Sequence, residues 1–263
     1  MTKLVFTVDV ERDSSHSIQG SPLRSTTLGQ KKPGYTATEK GLTALIELLN
    51  EKNIKATLFF EAKTALKLSY DADVKALCAG HEIGFHGFNH EDFTGKKTGF
   101  PANQEEREKV FSTGTIVLEK LFGKKIFGFR APYLLTDPEL LQLAARFFKY
   151  DSSFEGKKIV FEEGITRIPV FKEKGMSGYL WKLMEKERNI QEYYELLNKG
   201  LKEEVMVIAT HSWHSHRTRN EGVLKEERIK ENLENIKLVL EKALEKGFEF
   251  TTMKELIKSS KLQ

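Results

Sequence analysis

Short apolar runs alternate with amphipathic helical stretches from Lys3 to the C-terminal quarter of the chain, and no Pro-, Gly- or Ser-rich linker breaks the alternation. That order forces right-handed β-α-β crossovers, so the strands form a parallel sheet covered by helices. The expected strands are Lys3 to Asp9, Ala56 to Phe60, Glu82 to His86, Ile126 to Arg130, Phe147 to Asp151, Arg167 to Phe171, Val205 to His211 and Glu249 to Thr252. Most are largely apolar, as burial on both faces requires. The expected helices are Thr38 to Asn53, Asp71 to Ala79, Asn103 to Phe122, Asp137 to Phe148, Asn189 to Glu203 and Glu221 to Lys246. In the last, Ile229, Leu233, Ile236, Val239, Leu240 and Leu244 form an apolar stripe at helical spacing.

Seven or eight strand-helix units in 263 residues fit a barrel better than an open sheet. The expected fold is therefore α/β, a single-domain distorted (β/α)7-8 barrel spanning residues 1–263. Two segments exceed ordinary connectors and are expected as long loops, at about 12–37 and 155–188. The first follows the C-terminal end of the first strand, where such barrels place their active sites, and is expected to act as a lid or substrate wall.

Charge narrows the partners. Forty-two Lys and Arg against thirty-eight Asp and Glu give +4, with both signs interspersed, a pattern that does not point to a nucleic-acid footprint or a membrane-surface patch. No apolar run reaches the length of a membrane span. Cys78 is the only cysteine, so neither an intrachain disulfide nor a cysteine zinc site is available. Met1-Thr2-Lys3 leads straight into an apolar strand without the pattern of a secretory leader, and a cytoplasmic location is expected. Nothing here selects an oligomeric state, and a homo-oligomer stays open.

The chemistry-bearing residues fall at strand ends. Asp9 and Glu11, two apart, point to one face of the first strand. His86 and His90, four apart at the end of the third, can reach a single ion together. Two imidazoles and one carboxylate leave a coordination position open, the pattern of a catalytic metal site. Phe129-Arg130-Ala131-Pro132-Tyr133 ends the fourth strand, where Pro132 stiffens the turn and the Tyr133 backbone N–H is expected to aim into the barrel mouth. Tyr150-Asp151-Ser152-Ser153 ends the fifth and Thr210-His211-Ser212-Trp213-His214 a later one. His81, at the start of its strand, reads as a structural histidine, and Trp213, Phe88 and Tyr133 as candidates to stack on a ligand or as packing.

Taken in order, these segments resemble the five motifs of the polysaccharide deacetylase family, the NodB-homology carbohydrate esterases, over roughly Lys3 to Met253. Its first motif stands here in an Asp-x-Glu variant, Asp9-Val10-Glu11. The resemblance implies a distorted barrel and metal-dependent removal of an N-acetyl group from an amino-sugar-containing carbohydrate. It implies Asp9 as catalytic base; Glu11, His86 and His90 as ligands of one divalent ion, zinc first; and Arg130 as the residue holding the base. Tyr133 would offer its backbone N–H to the oxyanion, and Asp151 with His211 would act on the leaving group. His214 and His216 are rivals to His211 as the acid. Two departures bear on the substrate: Gly87 stands where Ser or Thr is usual, and Ala209, where Leu is usual, is expected to line the acetyl pocket. A cytosolic hydrolase of a small non-sugar amide or cyclic ureide is the alternative, and a catalytically silent sugar-binding barrel a further one.

Overall fold

A computed structural model describes residues 2–259. Seven parallel strands build the frame: β1 (Lys3–Val10), β2 (Thr57–Phe60), β3 (Glu82–Phe85), β4 (Gly128–Phe129), β5 (Tyr150–Asp151), β6 (Ile165–Arg167) and β7 (Val205–His211). Their order is β7-β1-β2-β3-β4-β5-β6, with Val160–Glu162 antiparallel on the outer edge of β6. An eighth parallel strand, β8 (Glu249–Thr251), pairs with Lys3–Val5, while β2 pairs with β1 farther along, from Thr7 to Val10.

The sheet curls into the expected distorted barrel. Irregular backbone closes it: Gly178 donates to the Phe171 carbonyl at 2.7 Å, Ala209 to Gly178 at 2.9 Å and Leu180 to Ala209 at 2.8 Å. A Cβ on Gly178 would lie 2.6 Å from the Val207 carbonyl oxygen, so only glycine permits this approach.

Helices α1 (Thr36–Glu51), α2 (Ala62–Asp71), α3 (Gln104–Phe122), α4 (Pro138–Phe147), α5 (Ile190–Gly200) and α6 (Glu226–Glu245) cover the outer face. Capping boxes set the starts of α3 and α5, where Asn103 with Glu106 and Asn189 with Glu192 exchange side-chain and backbone hydrogen bonds. Under α3 the rings of Phe85, Phe111, Phe129 and Phe148 form an aromatic core with centroids 4.9–6.0 Å apart. Among the described residues no helix is long and apolar enough to cross a membrane.

Three expectations are corrected. The helix expected at Asp71 to Ala79 is instead α2, which starts directly after β2, and a single turn at Val74–Leu77 capped by Asp73. The strand expected from Arg167 to Phe171 is cut at Pro169, which has no N–H to continue a ladder; Val170–Glu173 joins a separate small sheet. The segments expected as long loops are largely structured. Residues 12–37 contain the hairpin Ser15–Ile18/Ser21–Thr27, and 155–188 contain short strands and the helix Trp181–Met184. The hairpin is anchored, because fully buried Arg12 pairs with Glu61 and donates to the Ser25 carbonyl at 2.6 Å. It is thus no mobile lid, and Ser15 alone of its strand residues reaches the central cavity.

His81 is structural, as expected. Its Nδ1 accepts the Ala56 N–H at 3.1 Å, and burial pulls its pKa down to about 4. The unfolded chain, with an ordinary imidazole pKa near 6.5, therefore takes up this proton first. The stabilisation is complete above that pH and is lost as pH falls toward about 4, to the extent of roughly 2 kcal/mol. His81→Gln, which keeps an acceptor for Ala56, is expected to flatten the fall in urea midpoint across this window. An unchanged slope would assign the acid sensitivity elsewhere.

Candidate active site

At the C-terminal mouth of the barrel a cavity of about 730 Å³ is lined by Asp9, Glu11, His86, His90, Tyr133 and His211 among others. Parallel pairing delivers them: Asp9 stands in register with His211 across β1 and β7, and His86 and Arg130 directly follow β3 and β4. Six of the residues singled out in the sequence therefore share one cavity.

Glu11, His86 and His90 are buried, and their potential donor atoms lie within 4.8 Å of one another. Glu11 Oε2 faces His86 Nε2 at 3.3 Å and His90 Nε2 at 2.5 Å, and finds no hydrogen-bond donor of good geometry. Its other oxygen accepts the Trp213 indole N–H at 3.0 Å. His86 Nδ1 lies 2.8 Å from the Arg130 carbonyl, which can only accept, so the proton sits on Nδ1 and the Nε2 lone pair is left for an ion. Burial pushes Glu11 upward, but the facing His90 and His86 rings outweigh it and hold the carboxyl well below its ordinary range. One carboxylate oxygen held, one free, and two imidazoles turned toward it make a set that fits a divalent cation.

Asp9 is held from the other side. Arg130, fully buried, donates to Asp9 Oδ1 at 2.8 Å and to Thr7 Oγ1 at 2.9 Å, and reaches the Ser152 carbonyl and hydroxyl at 3.0 and 2.9 Å. Its guanidinium also lies over the Phe59 ring, 4.3 Å from the centroid. Tyr133 and Leu134 have φ of +59° and +56°, a pair of left-handed non-glycine residues that turns the chain sharply under the cavity. The Tyr133 ring packs edge-on against His90 at 4.6 Å.

The structure does not join Asp151 to His211. Asp151 accepts from Arg167 Nε at 2.9 Å, from the Ser153 N–H at 3.2 Å and from the Ser153 hydroxyl, and it is fully buried. His211 instead meets His214, Nδ1 to Nδ1, at 3.0 Å. Burial draws the His211 imidazole below its ordinary pKa, against the pull of Glu11 and Asp9. His216 bonds Ser215.

Other readings are revised too. Trp213 is fully buried and carries Glu11, so it offers no face to a sugar; Phe154, Tyr179 and Trp181 are the wall aromatics beside Tyr133. Ala209 is buried where its backbone bridges to Tyr179, and the Tyr179 side chain stands in the cavity wall there. Glu91 was missed. Its carboxylate accepts the Phe88 and Asn89 N–H groups at 3.0 and 2.7 Å, folding the loop between the two histidines, where His90 has φ of +57°. A Cβ on Gly87, itself at φ +80°, would lie 2.4 Å from Glu91 Oε2, so the carboxylate occupies the place of the usual Ser or Thr. An acid directly after the second histidine is the sequence signal that could have found it.

A family model described as Polysaccharide deacetylase matches residues 33–148, a stretch that contains His86, His90, Arg130 and Tyr133. Over 158 residues the chain is 28% identical to a peptidoglycan deacetylase-like protein of Gibberella zeae, covering 59% of this chain and 44% of that one. Over 124 residues it is 31% identical to a peptidoglycan deacetylase of Helicobacter pylori, covering 46% of this chain and 39% of the other. The chain thus spans under half the length of these curated relatives. A solved structure from Mycobacterium smegmatis, assigned to the polysaccharide deacetylases, superposes with a TM-score of 0.69 at 20% identity, over 98% of this chain and 89% of that one.

Proposed function

We propose that this chain, as a member of the polysaccharide deacetylase family, hydrolyses the N-acetyl group of an amino-sugar-containing carbohydrate, with one divalent ion held by Glu11, His86 and His90. One observation supports this most: a buried carboxylate oxygen turned toward two imidazole nitrogens, in the same cavity as the Arg130-bound Asp9 and the half-buried His211. Zinc is the first choice for two imidazoles and a carboxylate, and such an ion supplies Lewis acidity that acidifies water and polarises an acyl oxygen.

The protein does the rest. Asp9 Oδ1 is pinned by Arg130, which orients the carboxylate to accept the proton of the attacking water. The left-handed turn at Tyr133 presents its backbone to the developing oxyanion. His211 gives a proton to the departing nitrogen, and the products are acetate and a free amine. Acetate release from N-acetylglucosamine oligomers, abolished by chelation and restored by zinc, is the expected result. Ammonia or carboxylate release from small non-sugar amides without acetate from the oligomers would overturn the carbohydrate assignment.

A further inference from the structure

Behind His211 runs a line of buried groups. His214, fully buried, lies Nδ1 to Nδ1 at 3.0 Å from His211, and its Nε2 is 3.4 Å from Glu185 Oε1. Glu185 is only 7% exposed and is fixed by the Arg219 and Asn220 N–H groups at 2.6 and 3.3 Å. The His214 ring is clamped by stacking on Trp213 at 3.6 Å and on Trp181 at 5.9 Å. Of this line His211, Trp181 and Arg219 reach the cavity, while His214 and Glu185 do not line it.

We propose that Glu185 and His214 are positioning residues that set the tautomer of His211, so that His211 and not His214 protonates the leaving nitrogen; this rests on the amide-hydrolase reading. The argument is one of donors and acceptors. The Glu185 carboxylate oxygen lies 3.4 Å from His214 Nε2 without hydrogen-bond geometry, and its negative charge disfavours a lone pair facing it, so the proton of neutral His214 is favoured on Nε2 and its Nδ1 carries a lone pair. The 3.0 Å contact then requires a proton on His211 Nδ1, which leaves His211 Nε2 as the nitrogen that gains and releases the catalytic proton. As the C–N bond breaks, its electron pair goes to nitrogen, the Nε2 proton of cationic His211 forms the new N–H bond, and His211 returns to the neutral Nδ1–H form. His214 gains and loses nothing. Asp151 cannot serve in this way, since Arg167 and Ser153 already engage its oxygens.

Glu185→Gln tests the proposal in the zinc-loaded protein, because it removes the negative charge that favours the Nε2–H tautomer of His214 while its side-chain oxygen can keep the Arg219 N–H bond. Turnover of an N-acetyl amide is expected to fall at least ~10²-fold with KM and zinc content unchanged, while hydrolysis of an aryl acetate, whose leaving group needs no proton, stays near wild type. Equal losses on both substrates, or none on the amide, would overturn it. Should the variant not fold, ¹⁵N-histidine NMR of the wild type decides: neutral His211 is expected as Nδ1–H and His214 as Nε2–H, and the opposite pair overturns the proposal. A wild type that cleaves neither substrate would refute the hydrolase reading instead, while the tautomers still answer for the geometry.

Discussion

Asp9→Asn is expected to keep its metal and to lose at least ~10²-fold in kcat, the range for removing a general base. The substitution keeps shape and leaves an oxygen for Arg130 Nη1, now 2.8 Å from Asp9 Oδ1, so the groups around the cavity stay in place. What disappears is the ability to take a proton. Arg130 also loses the counter-charge of a fully buried guanidinium, although Thr7 and Ser152 continue to accept from it. Breaking a buried pair in this way costs on the order of 3 kcal/mol, so a lower Tm should accompany the loss of rate. Elemental analysis and kcat on an N-acetylated oligomer check both halves. Near-native turnover would remove Asp9 from the base role.

For His86→Ala the expected result is loss of the metal itself. His86 is the proposed ligand whose Nδ1 proton is engaged by the Arg130 carbonyl, and without it only Glu11 and His90 of the proposed set face the ion position. Losing an outer partner of a ligand costs roughly 10–100-fold in metal affinity; losing a ligand outright should cost more. The variant should purify without metal and show background activity. Wild-type Tm should rise with added zinc, because an ion that binds only the folded state stabilises it by mass action, whereas the variant's Tm should not respond. A fully loaded His86→Ala would refute the ligand assignment.

The legible part of the site lay at the ends of strands. Asp9 with Glu11, and His86 with His90, are pairs close along the chain, so the geometry of a strand or a tight loop already brings each pair to one place. The starts of α3 and α5 were readable for the same reason, since their capping boxes link residues only three positions apart; the end of α5, expected at Glu203, falls at Gly200. The start of α1 was not. Its own N-cap position, Tyr35, makes no capping hydrogen bond; the Ala37 and Thr38 N–H groups are met by Asp13, 24 and 25 residues earlier.

The same division holds for the chemistry. Alternating periodicity was enough to imply a parallel barrel, and strand-end motifs were enough to say which residues gather at its mouth, because both follow from interactions between near neighbours in the chain. Only the tertiary structure decided who partners whom: Trp213 holds Glu11 across 202 positions, Arg12 finds Glu61 across 49, and Asp151 goes to Arg167 and not to His211. The reason is desolvation. A polar group buried by the fold must take whichever donor or acceptor packing brings within reach, and distance along the chain does not determine that choice.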